Sequence, residues 1–105
     1  MARKMPKSKT PITPEMMDTA AAIMKSIAHP LRLRILEILE RDGEENVTAL
    51  CEETGASQPV VSQQLSRMRH EGVLGRRREG SSVYYHVAQR EVLGVLDCIR
   101  KMDGC

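Results

Sequence analysis

Between Asn46 and Gly72 the chain carries two stretches of helical pattern, separated by a gap that leaves room only for a sharp turn. The first begins at Asn46, a capping residue, and continues through Val47, Leu50 and Cys51 to a stop at Thr54-Gly55. The second is predicted to be capped by Ser57, has Pro59 in its first turn and ends at Gly72. Its apolar positions, Val61, Leu65 and Met68, share one helical face. Two helices joined by a short glycine-containing turn make a helix-turn-helix. The pattern then changes. Val73, Leu74 and Arg76 to Arg78 read as a short strand, Glu79-Gly80-Ser81-Ser82 as a turn, and Val83 to Val87 as a second strand of aromatic and β-branched residues. A β-hairpin placed directly after the second helix of such a pair is a wing.

The flanks complete one domain. Thr13-Pro14-Glu15 is a helix start, followed by Met16, Met17, Ala20, Ile23, Met24 and Ile27 at helical spacing. His29-Pro30 closes that helix and opens another, whose stripe is Leu31, Ile35, Leu36, Ile38 and Leu39, with Arg32, Arg34, Glu37 and Glu40 expected largely elsewhere. Asp42-Gly43 breaks it. Val92, Leu93, Val95, Leu96, Ile99 and Met102 predict a last helix running to the C-terminus. The expected fold is therefore mainly α with a β-hairpin wing, a winged helix-turn-helix in the order α-α-α-α-β-β-α. It spans residues 13–105 behind a flexible basic tail, residues 1–12. Trp and Phe are absent and Tyr84 and Tyr85 are the only aromatics, so aliphatic residues and Met must build the core. A 105-residue chain buries a modest core, and pairing with a second copy would add to it.

Charge is distributed unevenly although the net value is only +2. Basic residues cluster at Arg3, Lys4, Lys7 and Lys9 and again at Arg76, Arg77 and Arg78. Acidic ones gather at Glu37, Glu40, Asp42, Glu44, Glu45, Glu52 and Glu53. That asymmetry fits a molecule with one polyanion-facing side, and equally a solvated surface with a basic tail. No apolar run has the length of a membrane span, and the basic N-terminus lacks the apolar segment of a secretory signal. With three cysteines, an odd number, a reducing cytoplasm is the expected location and a membrane is not an expected partner. No nucleophile–base pair, phosphate loop or complete metal site points to an enzyme.

The second helix of the pair has two faces. Opposite its apolar stripe lie Val60, Gln63, Ser66, Arg67 and His70. Gln pairs bidentately with adenine and Arg with guanine, Ser with either, and Val meets a thymine methyl. Ser57, Gln58 and Ser62 lie near the helix N-terminus, where backbone N–H groups favour phosphate. A polar helix face alone is more often wet surface. The wing tips the balance, because Arg76, Arg78 and the small Ser81 tip suit a phosphate backbone or a minor groove. Side chains alternate across a strand, so Arg76 and Arg78 share one face and Arg77 takes the other.

These segments resemble those of the ArsR/SmtB repressor family. The resemblance is carried by His29-Pro30-Leu31-Arg32-Leu33-Arg34-Ile35-Leu36, by Ser57-Gln58-Pro59-Val60-Val61-Ser62-Gln63-Gln64-Leu65, by Arg69-His70-Glu71-Gly72-Val73-Leu74, and by Gly80 through Val87. It implies a homodimer built on the first and last helices that binds double-stranded DNA at an imperfect palindrome until an effector releases it. The two reading helices would be spaced by about 34 Å, one DNA turn. Gln64 stands where many members carry His, a packing difference. The metal-sensing sites of the family are incomplete here. Asn46 and Thr48 occupy the Cys-x-Cys positions of the arsenic and cadmium type, with Cys51 matching a third Cys, and the last helix has Asp97-Cys98-Ile99 without His. The thiol- and persulfide-sensing branch is similar around the reading helix and wing. Its first Cys position corresponds to Glu37, while Cys105 lies close to its second.

Cys51, Cys98 and Cys105 are thus the sensor candidates, each weighed against an ordinary packed cysteine. Cys98 and Cys105 share a helical face but sit about 10 Å apart along a regular helix, so pairing them requires the end to fray. No cofactor is required. A soft metal or metalloid ion held by the three thiolates is the alternative to a thiol switch. A repressor without a cysteine sensor is another. A winged-helix protein-interaction module is the rival from a different class, and it predicts no salt-sensitive DNA binding.

Overall fold

The computed structural model describes residues 9–103; most of the expected basic tail, and Cys105, lie outside them. The elements are α1 (Pro14–Ile27), α2 (Pro30–Asp42), α3 (Val47–Thr54), α4 (Gln58–His70), β1 (Leu74–Glu79), β2 (Ser82–Val87) and α5 (Glu91–Arg100), with a 3-10 turn at Lys101–Asp103. This is the expected winged helix-turn-helix in the expected order. Among the described residues no helix is long and apolar enough to cross a membrane.

Local chemistry accounts for most of the boundaries. The Thr13 hydroxyl accepts the Met16 N–H at 3.1 Å, and the Asn46 carboxamide accepts the Ala49 N–H at 2.8 Å, each satisfying a donor that the helix leaves without a partner. Gly55 closes α3 with a left-handed φ of +76° and donates to the Cys51 carbonyl at 2.9 Å. Ser57 departs from expectation. It precedes α4 with extended backbone, but its side chain makes no capping bond, and Pro59 in the first turn needs none.

The hairpin is tighter than its sequence implies. β1 starts at Leu74 rather than Val73, and Glu79 pairs with Ser82, so the turn is Gly80-Ser81 alone. Gly80 has φ +63°, the conformation a two-residue hairpin turn requires at its first position. The hairpin is not free-standing. Glu45, in the α2–α3 corner, forms a β-bridge with Tyr85 through paired backbone bonds of 3.1 and 2.9 Å.

The core gathers around α2 and α4: Ile35, Leu36, Ile38 and Leu39 pack with Leu50, Val61, Leu65 and Met68, closed by Val73, Leu74, Tyr85, Val92 and Leu96. Two expectations need correction. First, only Ile23, Ser26 and Ile27 of α1 are buried, whereas Met16, Met17 and Met24 are 52%, 56% and 55% exposed. The helix projects from the body, and the radius of gyration of 16.4 Å exceeds the roughly 13 Å of a compact 100-residue chain. At the other end of the chain Ile99 and Met102 are exposed too.

Second, Arg32 lies inside the molecule and not on the outer face of α2, with 6% of its surface accessible. Its Nε donates to Gln64 Oε1 at 2.7 Å, and its Nη1 donates to the Ser26 carbonyl and to Glu71 Oε1, the latter at 3.2 Å. Ser26 Oγ also donates to that carboxylate. One guanidinium therefore joins the end of α1, the middle of α4 and the residue that ends α4. Replacing it with an apolar side chain of similar length takes this donor from the Ser26 carbonyl and from Gln64, while Glu71 keeps the Ser26 hydroxyl. Arg32→Met is expected to lower unfolding stability by about 2 kcal/mol, read as a lower urea midpoint at unchanged slope. An unchanged midpoint would contradict this role.

Candidate nucleic-acid interface

Burying Val61, Leu65 and Met68 completely dictates which side of α4 faces water. Gln63, Ser66, Arg67 and His70 are exposed, and Val60 is 42% exposed although apolar. Ser57 and Gln58 are exposed at the helix start, and Gln58 Nε2 donates to the half-buried Ser62 hydroxyl at 3.3 Å. Gln64, one residue from Gln63, turns inward to Arg32. That contact holds the helix to α2. The last turn of α4 adds Arg67 and Arg69, cations suited to the negative end of the helix dipole, with His70 beside them.

On the wing, Arg76, Arg78 and Ser81 are exposed. Strand alternation places Arg77 opposite, and its surroundings differ entirely. Its Nε and Nη2 grip both carboxylate oxygens of Glu44 at 2.8 and 2.6 Å. Its Nη1 reaches Glu79 at 2.5 Å, and the guanidinium lies over the Tyr84 ring, 4.7 Å from the centroid. The pairing pushes the Arg77 pKa further up and holds the Glu44 carboxyl below the ordinary carboxylate range. At the same corner, hydrogen bonds from Arg41, and then from Glu45, hold Asp42 down at about 2.

Sequence pattern separated the exposed face of α4 from its buried one, and Arg77 from its neighbours. It did not find Glu44, because the partners are 33 residues apart and no periodicity links them.

The sensor candidates are scattered among the elements. Cys51 is half-buried in α3 and packs against the core, and Cys98 is exposed on α5; both are free thiols. Of the residues that the resemblance sets at sensor-thiol positions, Asn46 caps α3, Glu37 pairs with Arg34 at 2.9 Å, and Thr48 is exposed. Among the described residues, no three His, Cys, Asp or Glu side chains gather as a metal site.

Comparison with known proteins places this geometry. The bacterial regulatory protein, arsR family, profile matches residues 29–74. The nodulation protein NolR of Rhizobium meliloti is 32% identical over 104 residues, covering 96% of this chain and 84% of its own. The AntR antimony-specific transcriptional repressor has a solved structure with a TM-score of 0.79 at 28% identity, covering 93% of this chain and 91% of that one. HlyU from Vibrio cholerae gives 0.77 at 28% identity, covering 86% and 97%, and its reduced form gives 0.73.

The Glu44–Arg77 pair has a pH signature. A carboxyl held below its ordinary pKa contributes stability that is complete above that ordinary value and is lost as pH falls through the depressed one. In an NMR titration Glu44 is expected to protonate below the ordinary carboxylate range, and to move up toward it in Arg77→Ala. Titration of Glu44 at an ordinary value in the unaltered protein would show the pair to be absent in solution.

Proposed function

The chain belongs to the arsR family of bacterial regulatory proteins, whose members are DNA-binding transcriptional repressors and not enzymes, and from that premise we propose that it acts as a homodimer on a palindromic operator. The single observation that carries this reading is the exposed face of α4, where Val60, Gln63, Ser66 and Arg67 stand out from a helix whose other side is wholly buried. Gln63, Arg67 and Val60 read base edges. Ser57, Gln58 and Ser62 approach phosphate at the helix N-terminus, and Arg76, Arg78 and Ser81 deliver the wing to the backbone or minor groove.

The dimer reading is supported by what one chain leaves uncovered. Met16 and Met24 line a groove of about 470 Å³ between α1 and α5, together with Ala20, Ile23 and Val95. Ile99 and Met102, at the end of α5 and just beyond it, are exposed apolar side chains as well. A second copy placing its own α1 and α5 there buries both sets of methionines and sets the two α4 helices at the spacing of one DNA turn.

Release by an effector follows the family pattern, and a thiol switch at the cysteines is the reading we favour. Cys98 is exposed to an oxidant or persulfide, and Cys51 is partly accessible. The second reading, a soft-metal or metalloid response, takes its support from AntR, described as antimony-specific. The residues present fit a resident ion poorly, because Asn46 and Thr48 supply no thiolate and Asn46 is committed to its cap.

Two variants test the DNA contacts by fluorescence anisotropy on the DNA upstream of the protein's own gene. Gln63→Ala is expected to weaken operator binding by about tenfold while leaving non-specific binding intact. Arg78→Ala is expected to weaken both and to reduce the salt slope by about 1. Unchanged sequence preference in Gln63→Ala would mean that α4 reads DNA with another face. For the sensor, the Cys51→Ser/Cys98→Ser/Cys105→Ser variant is expected to stay bound when polysulfide or antimonite releases the unaltered protein. Release of the variant by either agent would place the sensor outside the cysteines.

A further inference from the structure

We propose that Arg77 and Glu44 are positioning residues for DNA binding, a brace that sets the angle at which the wing offers Arg76 and Arg78 to the phosphate backbone. The inference rests on the DNA-binding role of the wing proposed above. It concerns two residues that face away from the proposed contact surface.

A two-stranded hairpin is marginally stable by itself, and its direction depends on what holds it. Here it is tied to the body at the α2–α3 corner by two adjacent attachments of different kinds. The Glu45–Tyr85 backbone bridge is one. The bidentate Arg77–Glu44 pair is the other, one residue further along each partner: Glu44 precedes Glu45, and Arg77 is paired across the strands with Tyr84, which precedes Tyr85. The backbone bridge, together with Leu74 and Tyr85 buried in the core, holds the base of the hairpin and leaves its exposed outer half with freedom to swing. The second attachment removes that freedom, and the planar fork of an arginine on a carboxylate fixes orientation as well as distance. Tyr84 beneath the guanidinium and Glu79 beside it hold the fork in place from the wing side.

The same contacts remove Arg77 from the pool of phosphate binders. Nε, Nη1 and Nη2 are each engaged with a carboxylate oxygen. Of the three consecutive wing arginines, Arg76 and Arg78 supply charge to DNA and Arg77 supplies geometry.

This division makes an unusual prediction for Glu44. Considered as a charge alone, an acidic residue at the base of a DNA-binding wing repels the polyanion, and neutralising it should tighten binding. Considered as half of a brace, its loss should loosen binding. We would measure operator affinity and its salt dependence for the full chain and for Glu44→Gln, Arg77→Ala, the double variant and Arg78→Ala. Glu44 and Arg77 are both partly exposed, so neither substitution strands a buried group, and an unchanged far-UV circular dichroism spectrum checks the fold.

The expected results are a weakening of about 3- to 10-fold in Glu44→Gln, a similar loss in Arg77→Ala, and no further loss in the double variant, because the two act as a unit. The salt slope should stay at the unaltered value in all three, while Arg78→Ala lowers it by about 1. Equal or tighter binding by Glu44→Gln overturns the proposal, as does a slope in Arg77→Ala that falls like that of Arg78→Ala. If Arg78→Ala itself changes neither affinity nor slope, the wing does not touch DNA and the brace falls with that reading.

Discussion

A guanidinium seldom sits inside a domain of this size unless it is hydrogen-bonded, and Arg32 meets that condition through Nε and Nη1, which tie α1 and α4 to its own helix, α2. The end of α1 is held through the Ser26 carbonyl, the interior of α4 through Gln64, and the terminus of α4 through Glu71. The rotation of α4 about its axis is thereby set twice, by its apolar stripe against α2 and by Gln64 turned toward Arg32. Gln63, next along the chain, is presented outward as a consequence. The helix proposed to read DNA and the helix proposed to pair with a second copy share one polar node, so a change in the setting of α1 has a direct route to α4.

Elsewhere, charge is arranged by pairing. The acidic middle of the chain is largely consumed in surface ion pairs: Glu37 with Arg34, Asp42 and Glu53 with Arg41, Glu40 with Arg100, and Glu44 with Arg77. Exposed pairs of this kind contribute little stability each. Their larger effect is on the field. Arg67, Arg69, Arg76 and Arg78 have no ion-pair partner among the described residues, nor do Lys9, Lys25, Arg90 and Lys101, so half of these uncompensated cations lie on α4 and the wing.

The parts legible in the sequence were those fixed by local chemistry. Thr13 and Asn46 announce helix starts, Gly55 and Gly80 announce turns, and the period of Val61, Leu65 and Met68 announces the buried side of α4. What stayed hidden depends on residues far apart in the chain. Helical spacing sets Arg32 three and four residues before the buried Ile35 and Leu36, but its charge pointed to the surface, and the partners that let it be buried, Gln64 and Glu71, lie 32 and 39 positions away. The methionine stripe of α1 has the period of a core helix, yet within one chain only its last turns find a core. The sequence pattern reports that a face is apolar; whether the same chain or a second copy covers it is decided by the path of the backbone.

The central claim is that two copies of α4 lie in successive major grooves of one operator. Hydroxyl-radical footprinting of the reduced protein on the DNA upstream of its own gene tests this most directly. The account predicts two protected tracts with centres about 10 bp apart, related by a two-fold axis. A single protected tract, or uniform protection without a boundary, would contradict it.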